Sequence, residues 1–251
     1  MTHTGSNSAL AAVILAAGQG KRMQSDLPKV LHAVGGRPMV LHVIDAVKAL
    51  GARRVIVVTG YQAERVEAAC AGAGVEFARQ SDQLGTGHAV MQAEPRLAGH
   101  QGTIVVLNGD VPGLRTSTIR AFVDYHEAQR ASATVLTAVL DDPGGYGRIV
   151  RDSAGGLQRI VEERDASEAE RAIREINSGL FCFSAAELFA ALRRVTRRNA
   201  QNEYYLTDVI GLLASEGRRV AAWCIEDARE VAGVNNPDEL DAVRRFVAGQ
   251  P

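Results

Sequence analysis

Apolar residues along this chain fall into two patterns that take turns. LAAVILA (10–16), RVIVVTG (54–60), TIVVLNGDVP (103–112) and SATVLTAVL (132–140) are near-continuous apolar runs, as expected of strands covered on both faces. After the first of them, Met39, Val40, Val43, Ile44, Val47 and Leu50 recur at helical spacing and Gly51 ends the pattern, which predicts a helix with one buried stripe. Further helices are expected over 62–71, after Gly87 and over 116–130, with a short strand in VEFARQ (75–80). Strands alternating with helices imply an α/β fold, a mostly parallel sheet flanked by helices. Residues 9–140 therefore read as a Rossmann-like, nucleotide-binding half.

The texture changes after Asp141. GRIVRDSAGGLQRIVEE (147–163) reads as two strands joined by a Ser-Ala-Gly-Gly turn, a β-hairpin. INSGLFCFS (176–184) is another strand, with helices expected over 185–195 and 203–216. VAAWCIE (220–226) is a late strand, and PDELDAVRRFVA opens a closing helix, 237–251, with Pro237 at its first turn. With no internal repeat and no low-complexity linker, 141–236 is expected to cap the first half within one unit, 9–236.

At 251 residues the chain is long enough to bury a sizeable core, and its formal net charge of -1 gives no general attraction to nucleic acid or to an anionic membrane. No apolar run approaches the roughly 18 residues of a membrane span. MTHTGSNS lacks an apolar signal core and reads as a flexible leader, 1–8. Cys70, Cys182 and Cys224 are widely spaced and odd in number, so buried free thiols in a reducing, cytoplasmic setting are expected.

Chemistry concentrates where the first strand ends. Gly18-Gln19-Gly20 follows the apolar run, and Lys21, Arg22 and Lys29 come next. Glycines after a strand let backbone N–H groups approach a phosphate. Neither the Walker pattern nor G-x-G-x-x-G is present, and on its own the loop also reads as a tight turn. LAAGQGKRM followed by Pro28-Lys29, however, resembles the signature of the sugar-nucleotide pyrophosphorylases. The resemblance continues in order through QSDQLGTGHA, NGDVP, GYGRI, IVEERDA, EINSG, NEYYLTD and VAGVNN. It is strongest to the N-terminal uridylyltransferase domain of bifunctional bacterial members, which make UDP-N-acetylglucosamine.

The resemblance implies a nucleotidyltransferase (GT-A-like) fold with a small sugar-binding part, 141–236, that contains the hairpin. It further implies UTP and N-acetylglucosamine 1-phosphate as substrates, and Mg²⁺ as cofactor on Asp110 and Asn235. Asp110 follows a buried strand, where open α/β sheets bind ligands, and a hard oxygen there suits Mg²⁺. Asn235 also reads as part of a helix cap. Arg22 and Lys29 are the implied catalytic cations. Leu15, Ala16, Ala17, Gly18, Gly20, Lys29, Gln80, Gln83, Gly85 and Thr86 are the implied nucleotide contacts, and a glutamine can match the imide edge of uracil. Thr86, Gly147, Glu162 and Asn177 are the implied sugar contacts.

Asn108 departs from the family pattern, which often places an aromatic before Gly-Asp. The acetyltransferase part of the bifunctional members, a left-handed β-helix of hexapeptide repeats, has no counterpart in these 251 residues, so neither its activity nor an oligomeric state is carried over. Two other readings stand beside this one: a nucleotidyltransferase for another sugar 1-phosphate such as glucose, and a nucleotide-sugar sensor without turnover. A nucleic-acid module is disfavoured, because the basic run RRVTRRN (193–199) lacks interleaved aromatics.

Overall fold

The structure, a computed structural model, describes residues 9–249; the expected leader lies outside the described residues. In chain order the strands are β1 (Ala9–Ala16), β2 (Ala33–Val34), β3 (Arg37–Pro38), β4 (Arg54–Thr59), β5 (Glu76–Arg79), β6 (Gly102–Asn108), β7 (Ala133–Val139), β8 (Arg148–Arg151), β9 (Leu157–Val161), β10 (Glu175–Ser184) and β11 (Val220–Cys224). The helices are α1 (Met39–Ala49), α2 (Ala63–Ala69), α3 (Thr86–Met91), α4 (Thr116–Gln129), α5 (Glu168–Arg171), α6 (Ala185–Leu192), α7 (Asp208–Ser215) and α8 (Pro237–Ala248).

The central sheet runs β11-β7-β10-β6-β1-β4-β5. Every neighbouring pair along that path is parallel except the two made by β10, which lies antiparallel between β6 and β7. The second half of the chain thus supplies two strands of the central sheet, and β8 and β9 form the expected hairpin beside β10.

Alternate residues of the strands enter two apolar layers. Val13, Ile56, Ile104, Val135 and Phe181 pack beneath α3, α6 and α7. Ile14, Val57, Leu107, Leu136 and Cys182 pack beneath α1, α2 and α4. Coverage on both faces is why the strands read as continuous apolar runs. A third, smaller cluster joins Met23, Val34 and Met39 to Val234, Leu240 and Val243, tying the loop after β1 to α8.

Three expectations shift. The helix read over 203–216 begins at Asp208, because the backbone of 204–206 pairs with the start of α3 and the loop before it: Tyr204 N–H donates to the Leu84 carbonyl, Gly87 N–H to the Tyr204 carbonyl, and Leu206 N–H to Thr86 Oγ1. The helix read over 185–195 stops at Leu192. Cys70 and Cys182 are buried free thiols, whereas Cys224 is free but exposed at the end of an edge strand.

Candidate active site

β1 has β4 on one side and β6 on the other, so the loops leaving the carboxyl ends of β1 and β6 part and leave a crevice, the usual ligand position in open α/β sheets. Two adjoining clefts fill it, sharing Leu15, Thr86, Asn108, Asp110 and Asn235. The first is also lined by Ala16, Ala17, Gly18, Lys29, Gln83 and Gly85. The second is also lined by Tyr146, Gly147, Glu162, Asn177 and Thr207. Of the expected nucleotide contacts all but Gly20 and Gln80 line the first cleft, and the expected sugar contacts line the second; Leu15, Thr86 and Asp110 lie where the two meet.

The first cleft is built from glycine geometry. Gly20 is left-handed (φ +66), and a Cβ there would lie 2.6 Å from Lys29 Cβ, so glycine lets the loop close over the Lys29 stem. Gly18 faces open space, and its missing side chain leaves the cleft floor clear. Gln83 Nε2 donates to the Ala17 carbonyl at 2.9 Å, bridging the β1 loop to the segment before α3. Gln80 is buried under that segment, its amide donating to the Gly85 carbonyl at 3.1 Å and lying 3.1 Å from His88 Nδ1. It shapes the loop from below and does not line the cleft. Arg22 is exposed in the short turn Lys21–Met23 that follows the glycine loop.

Between the compartments three distant residues converge. The Lys29 ammonium donates to Asp110 Oδ2 and, at 3.2 Å, to Asn235 Oδ1. Asp110 and Asn235 are brought together by backbone, since Val234 N–H donates to the Asp110 carbonyl at 3.1 Å. Asn235 N–H in turn donates to Glu239 Oε2 at 2.6 Å, and Asn236 caps α8 by accepting from Glu239 N–H. The capping role and the site role fall on different asparagines. One carboxylate oxygen and one amide oxygen aimed at a single cation form a hard donor pair, which suits a divalent ion that completes its shell with water and phosphate. Among the described residues no cluster of three or more His, Cys, Asp or Glu offers a rival metal centre.

In the second cleft Glu162 accepts from the Thr207 hydroxyl at 2.9 Å. Burial pushes its carboxyl above the ordinary range; the Thr207 bond opposes this, while Asp208, Asp165 and Glu203 reinforce it. Gly147 lies against the same wall: a Cβ there would meet Ile160 Cγ2 at 3.2 Å and touch Glu162 Oε2 at 3.4 Å. Asn177 donates its N–H to the Gly147 carbonyl at 2.8 Å and sits where β10 slips register, a bulge that re-aims side chains beside a site. Gly179 (φ +81) in that bulge has no room for a Cβ against the Asn108 amide.

The sequence profile of the MobA-like NTP transferase domain matches residues 12–205. This chain belongs to the MobA-like NTP transferases. Among curated relatives of this NTP transferase, the bifunctional protein GlmU of Pelotomaculum thermopropionicum is 49% identical over 238 residues, covering 95% of this chain and 52% of that protein. GlmU of Acidovorax sp. is 52% identical over 245 residues, covering 95% of this chain and 51% of the relative. GlmU of Enterococcus faecalis is 48% identical over 236 residues, covering 94% and 51%. The chain spans about half the length of the curated relatives it matches. A solved structure named as a glucose-1-phosphate thymidylyltransferase from Bacillus anthracis superposes with a TM-score of 0.77 at 20% identity, covering 97% of both chains, and shares the fold.

Several residues of this NTP transferase site escaped the sequence reading. Tyr146 lines the second cleft, and its hydroxyl is pushed up by burial and by the Glu239 and Asp110 carboxylates, with Arg22 opposing. Buried Arg148 holds the Tyr146 carbonyl and pairs with Glu163 at 2.7 Å, bracing the loop that carries Gly147. Thr207 sits in the NEYYLTD motif, where a helical reading concealed its part in the wall. Glu239 carried only the signal of an acidic residue in a first helical turn. Among the described residues, no helix is long and apolar enough to cross a membrane.

Proposed function

We propose that the chain transfers a uridylyl group from UTP to N-acetylglucosamine 1-phosphate, with Mg²⁺, giving UDP-N-acetylglucosamine and pyrophosphate. The observation that carries this reading is the convergence of Asp110 and Asn235 at the junction of two clefts. One cleft is backed by glycine loops and a lysine, as a triphosphate requires. The other holds a carboxylate and an amide, suited to sugar hydroxyl and acetamido groups. The identities to the GlmU proteins support the same choice of substrates. The buried thiols Cys70 and Cys182 fit a reducing cytoplasm.

The nucleophile comes with the substrate. A phosphate monoester with a second pKa of about 6 is largely dianionic at neutral pH, so no side chain has to remove a proton before attack. One sugar-phosphate oxygen forms the new bond to the α-phosphorus, and the bond from that phosphorus to the bridging oxygen breaks. The electron pair departs with pyrophosphate. Positioning and charge neutralisation are what remain for the protein. The amides after β1, Lys29 and Arg22 hold the triphosphate, Gln83 and the Gly85-Thr86 turn hold the base, and Glu162 and Asn177 orient the sugar. Mg²⁺ on Asp110 and Asn235 would neutralise charge shared between the two phosphate groups.

The decisive assay is pyrophosphate release with Mg²⁺, crossing the four nucleoside triphosphates with N-acetylglucosamine, glucose and galactosamine 1-phosphates. Release confined to UTP with N-acetylglucosamine 1-phosphate is expected. Release with glucose 1-phosphate instead would move the function to a sister transferase and make Asn108 the first residue to examine. Tight UTP binding with no release in any combination would make the chain a sensor.

A further inference from the structure

We propose that Lys29 is a built-in cation that keeps the metal seat closed until a nucleotide arrives; this rests on the reading of Asp110 and Asn235 as that seat. The lysine ammonium bonds to both seat oxygens at once. A divalent ion bound by the same two oxygens would have to occupy the place the ammonium holds, and two cations at contact distance repel strongly. Metal entry therefore requires Lys29 to leave.

The surroundings of Lys29 provide the route. Its stem is fixed near the backbone by Gly20, which approaches Lys29 Cβ too closely for any side chain, while the long outer part retains its rotors. Lys29 also lines the first cleft together with Ala17, Gly18, Gln83 and Gly85. A triphosphate there offers anions within the sweep of the same side chain. As the ammonium turns to the phosphates, Asp110 and Asn235 are released together, and the triphosphate brings further oxygens that a divalent ion can use. In the free protein the ammonium meanwhile neutralises Asp110, whose side chain is 13% exposed and would be costly to leave unpaired. Metal and nucleotide should thus bind interdependently, with free protein a poor divalent-ion binder.

Mn²⁺ binding followed by electron paramagnetic resonance tests this, with and without the non-transferable analogue α,β-methylene-UTP. Lys29→Met is expected to tighten Mn²⁺ binding to free protein by at least about tenfold, which is about 1.4 kcal/mol. Lys21→Met, which removes the same charge from an exposed position on the neighbouring loop, should stay within about twofold of the unsubstituted chain. The analogue should tighten Mn²⁺ binding more in the unsubstituted chain than in K29M. If circular dichroism shows K29M unfolded, Lys29→Gln replaces it. K29M binding Mn²⁺ no more tightly, or K21M matching its gain, overturns the gate and leaves the metal seat standing. Failure of the unsubstituted chain and both variants to bind Mn²⁺, even with the analogue, overturns the seat and the gate together.

Discussion

Gly85→Ala probes the joint on which the first cleft depends. Gly85 has φ 103 and ψ 175, a region that side chains enter at a cost of about 1–3 kcal/mol. The new Cβ would also lie 2.7 Å from the Tyr204 carbonyl oxygen and 2.8 Å from Glu203 Cβ, so backbone must move. Two responses are open. The chain can hold its shape and bear strain plus overpacking, about 4 kcal/mol in all. Alternatively the clamp between 84–87 and 204–206 can open, losing three hydrogen bonds at about 1 kcal/mol each. The cheaper response sets the loss at about 3 kcal/mol, or about 6–12 °C in melting temperature for a domain of this size. Gly72→Ala is the control: Gly72 has φ +81 but open space around it, so only about 1 kcal/mol is at stake. Thermal unfolding measures both, and UTP titration should show weakened binding in G85A alone. Melting temperatures for the two variants within about 2 °C of each other would refute the argument from steric contact.

Three further outcomes are expected. Glu162→Gln should lower kcat/KM for the sugar phosphate about 10–100-fold, mainly through KM, with UTP affinity unchanged; steady-state kinetics with an unaltered sugar KM would remove Glu162 from the sugar site. Asp110→Asn should cut pyrophosphate release about a thousandfold without recovery in excess Mg²⁺; near-normal turnover would place the metal elsewhere. Asp208 is pushed up to about 6 by burial and by the Asp165 carboxylate. Its folded state holds the proton more tightly than the unfolded chain, so this contribution is complete below about pH 4 and lost as pH rises through about 6. Asp208→Asn should match the unsubstituted chain near pH 4 and exceed it by about 1–3 kcal/mol above pH 7, and urea unfolding that finds a pH-independent gap contradicts this.

The central strands were legible because helices cover both faces of the sheet and leave each strand apolar throughout. The position of Asp110 was legible too, since a carboxylate straight after such a strand can only stand at the rim where ligands bind. The insertion of β10 between β6 and β7 was not, because pairing partners so far apart leave no local mark. Nor was the true start of α7: the residues of NEYYLTD suit a helix, and only the Leu84 carbonyl, the Thr86 hydroxyl and the Gly87 N–H draw them out of it. Gln80 shows the limit of residue chemistry. Its amide suits uracil, yet its bonds run inward to Gly85 and His88.

The cluster that ties Met23 to Val234, Leu240 and Val243 bears on how this protein is made. The cluster of Lys29, Asp110 and Asn235 draws on distant parts of the chain, and the last of these is held by Glu239 on α8. A growing chain on the ribosome can pair β1, β4, β5 and β6 long before residue 235 emerges. It then has a Rossmann-like sheet and a glycine loop, but the pairing of Asp110 with Asn235, on which the proposed metal site rests, has not yet formed. Competence should appear abruptly, when α8 docks on the loop that follows the first strand.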